Sequence, residues 1–229
     1  MATAIQPVPH TAVPEAQSIL LPGVRWQTYK ALGEDLESAN SQVRLTYDRG
    51  SLEIMTHGWA HEVYASGFAA MIGVLCEAME IEYVASGSAT CQRDDLEKGF
   101  EPDQSFYFQN AHIMFGKHAL SLPEDPPPDL TIEVEITRTA LDRMAIFAAT
   151  GVPEVWRFNG DVLSVHRLND HGTYVRVERS EHFPDVPIQE LVPFLRRLLT
   201  QGLMSWRKEF RNWVVDRLGE RGTAAEDAT

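Results

Sequence analysis

Apolar and polar residues alternate through Arg44–Thr56, written RLTYDRGSLEIMT, and the alternation breaks at Asp48–Gly50. Period two on either side of a glycine-containing break predicts two strands around a turn. From Trp59 to Glu80 the period changes. Val63, Phe68, Met71, Ile72, Leu75 and Met79 recur mostly at three- and four-residue intervals, which predicts one face of an amphipathic helix. A shorter helix is predicted over Gln27–Leu36. Short strands are predicted at Ile81–Ala85 and Ala89–Gln92, around Ser86-Gly87, and Gln104–Phe108 reads as another strand after a polar loop at Arg93–Glu101.

The three consecutive prolines between Asp125 and Asp129 favour an extended approach to a strand at Leu130–Val134. A helix capped within Thr137–Thr139 is predicted to run through Thr150 and to end at Gly151-Val152-Pro153, before the apolar strand Glu154–Phe158. This is a strand-helix-strand unit. Asn159-Gly160-Asp161 then turns the chain into Val162–Leu168, and Asn169–Gly172 turns it again toward Tyr174–Glu178, adding an antiparallel edge. Leu191–Leu218 carries Phe194, Leu195, Leu198, Trp206, Phe210, Trp213 and Val214 at helical spacing, with Gly202 as a candidate break. The proline-rich residues 1–24 read as a flexible lead-in, 25–218 as a single domain, and the small, polar residues 219–229 as a flexible tail.

Hydrophobic residues make up 44% and charged residues 23%, proportions that exclude a mainly disordered chain. The formal net charge of -13 argues against a protein that coats DNA, because a phosphate backbone would be repelled. It argues less against a nuclease, whose pocket needs carboxylates and whose divalent ion offsets them. Cys76 and Cys91 have no paired spacing, so neither a disulfide framework nor a four-thiolate zinc site is supported. With no signal-like start and no uninterrupted run of eighteen apolar residues, no membrane association is expected, and the cytoplasm is the expected location.

Glu133 and Glu135 lie two apart in a predicted strand, so both carboxylates share a face, an arrangement suited to a hard divalent ion. An isolated Glu-x-Glu is more often a solvated strand face. Here, however, Glu101-Pro102-Asp103 precedes PPDLTIEVEITRTALDRMAIFAATGVPEVWRF at Pro127–Phe158, and RLTYDRGSLEIMT precedes His61-Glu62. These pieces resemble the Uma-type restriction endonuclease family of the PD-(D/E)XK nuclease superfamily, over roughly Gln27 to Leu168.

The resemblance implies an α/β fold with a restriction-endonuclease-like mixed sheet flanked by helices, and a metal-dependent endonuclease acting on DNA. It implies Asp103 and Glu133 as the principal acidic ligands of Mg²⁺ (or Mn²⁺), with Glu135 as a further metal-site residue where the superfamily usually has lysine. Arg143 matches a displaced basic residue in the following helix; it suits phosphate clamping, since an arginine stays protonated and is a poor general base. His61 and Glu62 are drawn in as candidate catalytic residues, with helix-end capping and solvation as their structural alternatives. Thr46 stands where many relatives carry an acid. The acidic balance and the missing lysine motivate a second reading, a catalytically inactive nuclease-like binding or interaction module. A homodimer is expected, from the large apolar residues of Leu191–Leu218 and from the pairing of active sites common in nuclease-like folds.

Overall fold

A computed structural model of the chain describes residues 17–39, 41, 43–136 and 139–226. The elements run β1 (Ser18–Pro22), α1 (Trp26–Ser38), β2 (Val43–Asp48), β3 (Ser51–Thr56), α2 (Trp59–Met79), β4 (Val84–Ala85), β5 (Cys91–Arg93), β6 (Lys98–Phe100), β7 (Gln104–Tyr107), α3 (Ala111–Met114), β8 (Leu130–Val134), α4 (Arg143–Thr150), β9 (Glu154–Phe158), β10 (Leu163–Leu168), β11 (Tyr174–Val177), α5 (Val192–Arg197) and α6 (Leu203–Glu226). They form an α/β fold with two sheets. One has strand order β11-β10-β9-β8-β7-β4, and the other β1-β3-β2-β6-β5. Among the described residues only β8 and β9 pair in parallel, Glu133 opposite Arg157, because α4 carries the chain back between them.

Alternation in β8 sorts the two sides of the central sheet. Leu130, Ile132 and Val134 join the larger core cluster with Trp156, Phe158 and the buried faces of α2, α5 and α6. Thr131 and Glu133 point the other way. On that side α4 lies between the sheets, its Phe147 packed edge-on against Phe100 of β6 with ring centroids 4.6 Å apart. Helix α2 is long and apolar enough to cross a membrane; here Phe68, Met71, Ile72 and Leu75 are fully buried in the core.

The β2–β3 hairpin closes through Arg49 and Gly50, both at positive φ, as a two-residue turn between right-twisted strands requires. Against this hairpin α1 buries Trp26 and Tyr29, and the rings of Trp26, Tyr29 and Tyr47 form a mutually packed triangle with centroids 4.9–5.2 Å apart. Close contact with β6 depends on Gly99: an added Cβ there would lie 2.1 Å from the Tyr29 hydroxyl oxygen and 2.6 Å from Cζ. The ring is buried and packed against Trp26 and Tyr47. Gly99→Ala is expected to cost about 1–3 kcal/mol, read as a lowered urea midpoint at unchanged slope, and an unshifted midpoint would refute this packing.

Several expectations change. Ser18–Pro22 is a strand paired with β3, although 1–24 reads as a flexible lead-in. Backbone hydrogen bonding holds it while Ile19, Leu20 and Leu21 stay exposed, so no buried face signals it in the sequence. The polar Arg93–Glu101 loop contains β6, which pairs with both β2 and β5. Asp142, whose side chain accepts a hydrogen bond from the Ala145 amide, caps α4 in place of the expected threonines; 137 and 138 lie outside the described residues. Helix α6 continues past Leu218 to Glu226. Trp206 and Phe210 are fully buried within the chain and cannot meet a symmetry mate, while Trp213 stacks on Phe210 and is partly buried. The exposed apolar residues of this segment are Leu199, Leu203, Met204 and Val215.

Candidate metal centre

The first turn of α2, the segment after β6, the end of β8 and the start of α4 converge at the C-terminal end of β8, an interior strand of the central sheet. Asp103, directly before β7, is buried. Its Oδ2 accepts a hydrogen bond from the Val134 amide at 2.7 Å and lies 3.0 Å from His61 Nε2, while Oδ1 is 3.5 Å from the Arg44 guanidinium. Burial alone would raise the Asp103 carboxyl, but His61, Arg143 and Arg44 outweigh it and hold the group below the ordinary carboxylate range.

His61 is buried one turn into α2. Burial opposes its charge, yet the Asp103 and Glu62 carboxylates prevail and push the imidazole up to about 9. Its ring stacks on that of His57, with centroids 3.7 Å apart and planes 14° from parallel. Burial, together with the charge of His61, lowers His57. Glu62 Oε1 lies 3.4 Å from His57 Nδ1 and 3.7 Å from His61 Nδ1, and these imidazoles hold its half-exposed carboxyl well below the usual range. The ligating atoms of His57, His61 and Asp103 all lie within 4.8 Å of one another.

Glu133 is buried beside this cluster, and the charge of Asp103 reaches it. Burial, the largest influence, raises its carboxyl. Arg143 Nη2 is 3.0 Å from Glu133 Oε2 and donates to the Glu101 carbonyl at 2.8 Å, while its Nη1 contacts Thr46 Oγ1 at 3.4 Å. Thr46, at the position where relatives carry an acid, is thus an acceptor for Arg143. Glu135 does not join. Both its oxygens accept from Arg157, at 2.7 and 2.8 Å, because Arg157 stands on the neighbouring strand and the same sheet face.

The structure therefore brings together Asp103, His61, Glu62, Glu133 and Arg143, and turns Glu135 to a basic neighbour. It adds two residues that sequence reasoning missed. His57 is one, and its four-residue spacing from His61 was an available signal. Glu53 of β3 is the other. It is buried, accepts a hydrogen bond from Ser18, and accepts from the Ala140 and Leu141 amides at 2.7 and 3.3 Å, fixing the chain just before Arg143. One glutamate in a strand carries no such signal.

The Uma2 family model, described as "Putative restriction endonuclease", matches residues 26–201. The chain belongs to the Uma2 family. Among solved structures, a protein from Anabaena variabilis ATCC 29413 described as "a putative nuclease belonging to DUF820" shares 16% identity, over 71% of this chain and 90% of that one, with a TM-score of 0.46. Comparison with curated proteins yields no match.

Within this Uma2 fold, the donor set suits a divalent ion. Ligand atoms of two imidazoles and a carboxylate lie within 4.8 Å of one another, and His61 Nδ1 is buried with no hydrogen-bond partner among the described residues. A ligating imidazole must be neutral, so metal and proton compete for His61 and acidification should weaken binding. Asp103 is held ionised while burial raises Glu133, so a cation added beside the two carboxyls would favour the ionised form of both.

Proposed function

We propose that the protein is a metal-dependent endonuclease that hydrolyses DNA phosphodiester bonds at the His57–His61–Asp103 cluster. The observation that carries this reading is the convergence of those three ligands within 4.8 Å, with the Glu133 carboxylate buried alongside. Asp103, His61 and His57 are the residues that would hold the ion, which supplies Lewis-acid polarisation of a phosphate oxygen and lowers the pKa of water. Mixed nitrogen and oxygen donors depart from the all-oxygen preference of Mg²⁺ and favour Mn²⁺.

The chain's own groups have separable tasks. Arg143 holds Glu133 in place and offsets its charge in the interior. Glu62, ionised on the exposed side, orients both imidazoles. Glu53 anchors the chain leading to Arg143. Because Arg143 is itself buried against Glu133, it acts on the carboxylate in this arrangement and not as an exposed phosphate clamp.

Purified protein incubated with single-stranded, nicked and duplex DNA in Mn²⁺, Mg²⁺ or chelator tests the proposal. Cleavage is expected with Mn²⁺ and not with chelator. A second reading, the inactive nuclease-like binding module, is favoured by one observation: at the place of the usual lysine, Glu135 is closed into a bidentate pair with Arg157. DNA binding with no cleavage in either metal would select that reading.

A further inference from the structure

The sequence has five tryptophans, and the fold uses four of them in packing. Trp26, Trp156, Trp206 and Trp213 all make ring contacts. Trp59 makes none among the described residues and is 77% exposed. Nothing about its position calls for an indole, since the first residue of a helix is served by proline or any good helix former. What distinguishes the position is its neighbourhood. The exposed residues of the first turns of α2 are Trp59, Glu62 and Ser66, a single stripe. Glu62 of that stripe touches both His57 and His61, and His57 lies two residues before Trp59. The indole therefore shares an exposed stripe with Glu62, the residue that touches both imidazoles of the cluster.

We infer that Trp59 is a stacking platform for an unpaired nucleobase, and that the substrate at this site is DNA with exposed base faces: single-stranded, frayed or flapped. The inference rests on the nuclease reading above and deepens it. A phosphodiester held at the cluster brings a flanking base alongside the helix stripe, where the indole offers a flat apolar face. In intact duplex that face is covered by the neighbouring base pairs, so stacking requires a strand that is open there. A divalent ion held by His57, His61 and Asp103 would supply the local positive charge that an acidic chain needs to hold the backbone. As a positioning residue, Trp59 would set which strand form is bound without touching the reacting phosphate.

Full-length protein in Ca²⁺, chosen to allow binding while slowing hydrolysis, is titrated with an oligothymidylate of about 12 nucleotides and with a blunt duplex of equal length. Binding is read by anisotropy, and the difference in fluorescence between wild type and Trp59→Phe isolates the Trp59 signal. The single strand is expected to quench that signal, and Trp59→Ala to weaken single-strand binding by about 5- to 100-fold while leaving duplex binding and the urea midpoint unchanged. Trp59→Phe, which keeps an aromatic face, should retain most of the affinity. Undiminished single-strand binding by Trp59→Ala, equal quenching by the blunt duplex, or a Trp59 signal that changes with protein concentration alone would each overturn the inference while leaving the nuclease reading standing. Failure of wild-type protein to bind any DNA would remove both.

Discussion

Asp103→Asn is expected to reduce metal-dependent DNA cleavage on the order of 100-fold or more. The substitution keeps the size of the side chain and leaves an oxygen for the Val134 amide, but removes the charge that faces His61 Nε2. It should also change how the metal-free protein responds to pH. His61 sits at about 9 when folded, above its unfolded value of about 6.5, so its contribution to stability is fully present below the unfolded value and fades as pH rises through 9. With Asp103 neutralised, the strongest influence raising His61 is gone, and that alkaline loss should shrink. Chemical denaturation between pH 6 and 10 with chelator present measures it. Cleavage within a fewfold of wild type, or an unaltered pH profile, would contradict the role given to Asp103.

Arg143→Met is expected to destabilise the protein by about 3–5 kcal/mol. The guanidinium is buried, and its loss leaves the Glu133 carboxylate without its nearest cation in a place where burial already raises it. It also deprives the Glu101 carbonyl and Thr46 hydroxyl of a donor. Adding Glu133→Gln should recover part of the loss, because the penalty lies chiefly in the stranded charge. Urea unfolding of the two single variants and the double variant tests this. A single-variant change within about 0.5 kcal/mol would mean that the pair contributes little, and a double variant worse than the sum of the two would mean that the penalty comes from packing.

Particular residues explain how far the sequence could be read. The β8–α4–β9 unit was legible because Leu130–Val134 and Glu154–Phe158 are apolar runs of strand length, with Gly151 and Pro153 marking the end of the helix between them. Gly202 likewise divides α5 from α6. Strand β1 was hidden because its apolar residues face solvent, and β6 because three residues, Lys98–Phe100, carry too little pattern. For the site, the resemblance gathered Asp103, Glu133, His61, Glu62 and Arg143, which the fold brings together. It did not reveal which carboxylate meets which guanidinium. Glu133 and Glu135 do share a sheet face; what separates them is that α4 sets Arg143 over Glu133 while the parallel register sets Arg157 within reach of Glu135. Such pairings arise from register and helix placement, which spacing within one strand does not encode. The stacking of His57 on His61 is similarly a product of how the chain enters α2.

Calorimetric titration of the full-length protein with Mn²⁺ tests the central claim most directly. The arrangement described above predicts a saturable site that is lost in Asp103→Asn, weakened by at least about 10-fold in His61→Gln, and retained in Glu135→Gln, whose carboxylate is engaged by Arg157. Undiminished Mn²⁺ binding in both Asp103→Asn and His61→Gln would contradict it.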